Sequence, residues 1–208
     1  MADPADVPAN RPVDDPDAQA VARCQDGHVD AFEALVERHQ KRMLNLAYRM
    51  LGDYDEACDV VQEAFLSAWR GLPKFRREAR FSTWLHEIVL NVTRNRMKQI
   101  QARFRHEAPA PEGFPSEDGN CLPCRAVSPL ENPSEMLERK EREEKVQECI
   151  GTLEGEYREV LVLRDIQGFS YEEIGDMLKV PGGTVRSRLF RARSAMKDCL
   201  SRLLGERR

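Results

Sequence analysis

The chain has 208 residues, of which 41% are hydrophobic, 7% aromatic and 33% charged, and it carries a formal net charge of −4. That length suits one ordinary domain or two small ones, and few aromatics with many charges favour small helical units over an all-β fold. No apolar run approaches the roughly 20 residues that span a bilayer, and the acidic, Pro-containing start lacks the features of a secretion signal, so a cytoplasmic protein with no direct membrane insertion is expected.

Residues 1–17 read as a disordered acidic tail, with Pro4, Pro8, Pro12 and Pro16 and five Asp but little to bury. From Ala18 a helical period sets in: Phe32, Leu35 and Val36, then Met43, Leu44, Leu46 and Ala47, recur every three to four residues until Gly52-Asp53. A second amphipathic helix follows, with Ala57, Val60, Val61, Ala64, Phe65, Ala68 and Trp69 on its apolar side, and Gly71-Leu72-Pro73 ends it. Beyond a short basic loop, Thr83 to about Arg103 reads as a third long helix with Trp84, Leu85, Ile88, Val89 and Val92 toward the core.

Residues 106–133 read as a flexible linker, because Pro109, Pro111, Pro115, Pro123, Pro129 and Pro133 forbid a packed element. A second helical domain is expected over 134–208, opening at Ser134 and continuing through Val146, Cys149, Ile150, Val160, Leu161 and Leu163. The fold class is therefore all-α: two small helical domains, 18–105 and 134–208, joined by a Pro-rich linker.

Charge is distributed unevenly along this plan. Arg70 to Arg105 holds ten Lys/Arg against two Asp/Glu, and Gly182 to Arg208 holds eight against two. Between them, His106 to Val160 holds six against fourteen. Two basic blocks with an acidic spacer point to two nucleic-acid-facing surfaces, or else to two ordinary solvated helix faces.

The C-terminal block decides between these. Ser170 is placed to cap a short helix, with Glu173 three residues on as in a capping box. Lys179-Val180-Pro181-Gly182-Gly183 forms a tight connection, and a further helix begins at Thr184. Ile174, Leu178, Val185 and Leu189 can face inward, and Gly175 permits a close helix crossing. This is a helix-turn-helix pattern. The outer face of its second helix carries Arg186, Ser187, Phe190 and Arg191, which suit base edges. Arg188 and Arg193 suit phosphates. Lys179 is irregular, since glycine more easily takes the positive φ such a turn needs.

Phe169 to Leu200, through Tyr171-Glu172-Glu173-Ile174-Gly175 and Gly183 to Arg193, resembles region 4 of bacterial sigma factors of the extracytoplasmic-function type. Asp59 to Phe65 resembles region 2.2 of the same family. Phe81 to Leu85 with Ile88, Asn91 and Arg96 resembles regions 2.3 and 2.4. The resemblance implies a factor that binds core RNA polymerase, directs it to promoters and helps open the duplex, under control of an anti-sigma factor and of stress or envelope signals.

By that resemblance, Asp59, Gln62 and Glu63 face the polymerase beta-prime coiled coil, and the second domain meets the beta flap. Arg76, Arg77, Arg80, Asn91, Arg94, Asn95 and Lys98 hold the opened strand at the minus-ten element. Thr184, Arg186, Ser187, Arg188, Phe190, Arg191 and Arg193 meet the minus-thirty-five element of promoter DNA. Phe81 and Trp84 could stack on bases, but their helical spacing favours the core.

The sequence holds neither a Gly-rich phosphate loop nor a Ser/His/Asp or paired-carboxylate arrangement. No enzyme activity and no cofactor are expected. Cys58, Cys149 and Cys199 fall on helices and read as packing residues, since cytosolic thiols are normally reduced. Cys121 and Cys124 form a CxxC in the linker that could bind zinc or act as a redox pair. A structural zinc site wants four ligands and only His106 lies near in sequence, so no metal is expected. A stand-alone regulator and a thiol or metal sensor are the competing readings. The second basic block and the Asp59-Gln62-Glu63 patch favour the promoter-specificity factor.

Overall fold

The computed structural model describes residues 15–106, 133–203 and 205. Its helices run α1 (Ala18–Gln25), α2 (Val29–Leu51), α3 (Tyr54–Gly71), α4 (Phe81–His106), α5 (Pro133–Thr152), α6 (Gly155–Leu161), α7 (Tyr171–Leu178) and α8 (Gly182–Leu203). A 3₁₀ turn over Leu72–Lys74 follows α3, and a π-helical segment over Val162–Ile166 follows α6. No strand occurs among the described residues. Cys121 and Cys124, with most of the proposed linker, lie outside the described residues.

α1 to α4 form an N-terminal unit whose core is built from Leu35, Met43, Leu46, Met50, Val60, Ala64, Leu72, Phe81, Leu85 and Val89, all buried. The expected apolar stripes are the ones that pack. α2 ends on Gly52, whose φ of 80° closes the helix in the left-handed region. α3 starts on Asp53, whose carboxylate accepts the Glu56 amide. α4 starts at Phe81, two residues before the expected Thr83, because the Asp15 carboxylate accepts the Phe81 amide at 2.7 Å. Phe81 is fully buried, and Trp84 stacks on Phe75 with ring centres 4.7 Å apart. Phe81 lies in the core, as its spacing suggests, and Trp84 packs half-buried against it.

The end of the acidic segment is ordered. Asp17, placed in the tail by composition, is 1% exposed. Its carboxylate meets His39 Nε2 at 2.7 Å and pairs with Arg38. A buried carboxylate needs such partners, and both come from α2, out of reach of any local reading.

α5 to α8 form the C-terminal unit around Ile150, Leu153, Val160, Leu163, Ile174, Val185, Leu189 and Ala192. The buried apolar residues of the two units form one continuous cluster, and polar contacts also join them. Arg42 donates Nε–H to Gln167 Oε1 at 3.0 Å and also reaches the Gln167 carbonyl. Arg49 donates to Gln147 Oε1, while Gln147 Nε2 donates to the Tyr48 carbonyl at 3.3 Å. Arg158 donates to the Met50 carbonyl at 2.6 Å and to Gly151 and Leu153 within its own unit. The Phe169 ring meets the His86 ring edge-to-face at 4.7 Å. Water can replace the hydrogen bonds of such an interface when the units part.

Candidate nucleic-acid interface

The helix-turn-helix forms as its sequence predicts. Ser170 Oγ accepts the Glu173 amide at 3.2 Å, and Glu173 Oε2 accepts the Ser170 amide at 2.8 Å, a complete capping box. Lys179 closes α7 with φ 55°, the left-handed conformation that glycine would take more easily. A Cβ on Gly175 would lie 3.0 Å from the Val180 carbonyl oxygen, so α7 and the turn touch backbone to backbone there. Gly175→Val should therefore lower stability by about 1–3 kcal/mol through overpacking, read as a lower urea midpoint, with Gly175→Ala losing less.

Ile174, Val185 and Leu189 are buried where the two helices cross, and Leu178 packs beside them. α8 begins at Gly182, two residues before the expected Thr184. Phe190 is 76% exposed, an apolar ring held out into solvent. Arg186, Ser187 and Arg191 share its exposed side. Tyr171 lies under the Arg186 guanidinium at 5.7 Å, and the Tyr157 hydroxyl accepts from Arg191 at 3.2 Å.

The expected phosphate contacts are engaged internally. Arg193 donates to both Asp165 oxygens, at 2.9 and 2.5 Å, and Arg188 pairs with Glu156. Both acids come from the segment ending in the π-helical turn. They neutralise these two cations of α8 in the present arrangement.

In the N-terminal unit, Asn91, Asn95 and Lys98 fall on one exposed stripe of α4. Arg76, Arg77 and Arg80 are exposed on the preceding loop. The loop is held by α1: Gln25 Nε2 donates to the Leu72 and Phe75 carbonyls, each at 3.0 Å, and Gln25 Oε1 accepts from Arg77. Arg77 itself has φ 60°. Arg94 departs from the expected set. Its guanidinium makes a two-pronged pair with Glu159 of α6, at 2.6 and 2.7 Å, and this bond raises its pKa further. In this arrangement the C-terminal unit covers Arg94.

Asp59, Gln62 and Glu63 are exposed on one side of α3, as expected. Arg96 tempers that patch, lying 2.5 Å from Glu56 and 4.0 Å from both Asp59 and Glu63. Leu66, which the sequence reading passed over, is 56% exposed one turn beyond Gln62 and Glu63. An apolar residue off the buried stripe, beside the acidic residues, was the available signal.

Cys149 and Cys199 are joined in a disulfide, which corrects their reading as packing residues. Their Cα atoms lie 5.7 Å apart where α5 crosses α8, within disulfide reach. They stand 50 residues apart in sequence. Among the described residues, no group of three or more His, Cys, Asp or Glu is arranged to hold a metal, and no helix is long and apolar enough to cross a membrane.

Two family descriptions match the chain: Sigma-70 region 2 over residues 35–103 and Sigma-70, region 4 over residues 143–196. The chain is 39% identical over 191 residues to the RNA polymerase sigma-H factor of Pseudomonas aeruginosa, covering 91% of this chain and 96% of that protein. It is 36% identical over 188 residues to the ECF RNA polymerase sigma-E factor of Escherichia coli K12, covering 90% and 96%. Among solved structures it resembles CnrH in complex with the cytosolic domain of CnrY, at TM-score 0.61 and 27% identity, covering 89% of this chain and 97% of that one. The sigma factor RpoE of Bartonella quintana, solved with the anti-sigma factor NepR, shares the fold at TM-score 0.59 and 20% identity, covering 83% and 98%.

Proposed function

The chain belongs to the sigma-70 family of RNA polymerase sigma factors, in its extracytoplasmic-function group, and from that membership we propose how its surfaces divide the work of initiation. It binds core RNA polymerase and directs transcription from promoters with minus-ten and minus-thirty-five elements, under control of an anti-sigma factor. It works in the cytoplasm and carries no catalytic site of its own; the polymerase performs the chemistry. The observation that carries the division is the solvent-facing set Arg186, Ser187, Phe190 and Arg191 on the second helix of a completed helix-turn-helix. This set enters the major groove at the minus-thirty-five element. Thr184 supports it at the helix start, and Arg188 and Arg193 meet phosphates once they leave their internal partners.

The opened minus-ten strand runs along Arg76, Arg77 and Arg80 and over Asn91, Asn95 and Lys98. Arg94 joins that path only when the two units part and Glu159 releases it. Domain bounds of 18–105 and 134–208 suit this division. Run-off transcription with purified core enzyme tests the reading. Specific initiation that depends on the chain supports it. Duplex binding without core and without initiation would instead indicate a stand-alone regulator.

Asp59, Gln62 and Glu63, with Leu66 at their side, form the face for the beta-prime coiled coil. An acidic face with one apolar anchor suits a basic helical partner. Reversing Asp59 and Glu63 to lysine should weaken core binding by roughly tenfold or more in a pull-down. A thermal melt must be run beside it, because Arg96 lies near both positions. Unchanged binding by a folded double variant would move the core-binding face elsewhere.

A further inference from the structure

The Cys149–Cys199 bond has no part in the work assigned above. Disulfides in a cytosolic protein are usually transient, serving catalysis or redox sensing. What this one joins gives it a use. α5 has a thin hold on its own unit: residues 137–144 are all exposed, and from 137 onward only Gln147, Cys149 and Ile150, near its end, are buried. The covalent tie to α8 is therefore a large part of its attachment. α5 is also one of the helices through which the C-terminal unit grips the other. Gln147 on α5 bonds to Tyr48 and Arg49, while Arg158 and Glu159 on α6 bond to Met50 and Arg94.

We propose that Cys149 and Cys199 form a reversible thiol–disulfide site whose oxidation favours the closed, promoter-silent arrangement of the two units. With the bond made, α5 is fixed on α8, and the grips on α5 and α6 face the N-terminal unit in one register. With it broken, α5 can pivot, and closure must also order α5. Pre-organisation of a two-part surface strengthens its binding by removing that cost. The closed form keeps Arg94 under Glu159, so oxidation withdraws a strand-holding cation.

The oxidant class is hydrogen peroxide. Cys199, 6% exposed against 0% for Cys149, is the first to react. Its thiolate attacks one peroxide oxygen, forming an S–O bond as the O–O bond breaks, and the departing hydroxide takes a proton to become water. The Cys149 thiolate then attacks the sulfenic sulfur, forming the S–S bond and expelling hydroxide, which takes up the proton Cys149 gave up and becomes the second water. Two thiols lose two electrons in total, and one peroxide is reduced to two waters. A dithiol reductant reverses the change by exchange, becoming a disulfide itself.

This inference rests on the initiation-factor reading, and its test separates the two. The full chain is prepared reduced and peroxide-treated, the peroxide is removed, and each form is given to core enzyme in run-off transcription. Cross-linked peptides are mapped by non-reducing mass spectrometry, which also distinguishes this bond from one at Cys121 and Cys124. The oxidised chain should carry the 149–199 cross-link and give roughly tenfold less transcript, within the usual range of coupling between sites. The Cys149→Ser/Cys199→Ser chain should match the reduced protein and ignore peroxide. Absence of the cross-link, or an equal peroxide response in the serine variant, would overturn the proposal. A chain that forms the cross-link but never initiates would support the thiol site while overturning both its regulatory role and the initiation reading.

Discussion

Replacing Arg186 and Arg191 together with alanine should lower specific binding to a minus-thirty-five duplex by about two to three orders of magnitude. Each is expected to contribute about 1–3 kcal/mol of base discrimination. Both leave the exposed side of α8 beside Phe190. Their present partners, an aromatic face and a phenol hydroxyl, are weak enough to give up on contact with DNA. Binding should be followed by fluorescence anisotropy with the polymerase holoenzyme, on matched and substituted duplexes. Arg193→Ala should behave differently. Arg193 must leave Asp165 before it can reach a phosphate, so its removal should cost less, affect all sequences alike and flatten the salt dependence. If Arg193→Ala relaxes specificity and the double variant does not, base reading is centred on Arg193 instead.

The second large effect concerns closure. Glu159→Gln should open the molecule, read as a larger radius of gyration in solution scattering. The pair it breaks is partly shielded, with Arg94 29% and Glu159 13% exposed. Removing the charge leaves a half-buried guanidinium without its counterion, at a cost to the closed form of about 1–3 kcal/mol after allowance for partial exposure. Opening frees Arg94, so affinity for a single-stranded minus-ten oligonucleotide should rise in the same variant. Unchanged scattering would mean that the remaining contacts hold the units without this pair.

Closure should also depend on pH through His86. Its ring lies under Phe169, with Nδ1 2.6 Å from the Ser82 carbonyl. Burial, with Arg42 and His39 adding repulsion, lowers its pKa from 6.5 to about 4. The closed form thus holds the proton less tightly than an open form with a wetter ring. Its advantage from a neutral His86 is complete above pH 6.5 and is lost as pH falls toward 4. Scattering between those values should show progressive opening, and His86→Phe should remove the dependence.

The elements themselves were legible. Helical period, Gly52, the Asp53 cap and the Ser170–Glu173 box act within a few residues, and such local rules survive in almost any tertiary setting. The outer face of α8 was legible for the same reason, because Ile174, Val185 and Leu189 fix which side is left for solvent. The partners of the charged residues were not. Arg94 meets Glu159 across 65 positions, Arg42 meets Gln167 across 125, and Asp17 finds His39 across 22. No spacing rule encodes these meetings. They arise only when whole helices are laid side by side. The disulfide belongs with them: six cysteines at irregular intervals give no pairing, and only the α5–α8 crossing selects one.

The π-helical segment over Val162–Ile166 sets the phase of everything that follows it. Its wide turn, with the Gln167 amide bonding back to Val162 at 2.9 Å, adds one residue to what would otherwise be an even α-helical winding. Each added residue advances the chain by about 100° around the axis. Without that offset Gln167 and Phe169 would leave on a different heading and miss Arg42 and His86. A single-residue deletion here would leave the side chains of Gln167 and Phe169 intact, yet it would mis-time every contact downstream, as a skipped tooth does in a gear train. The length of this short turn is thus itself encoded information, as specific as any charged residue on either surface.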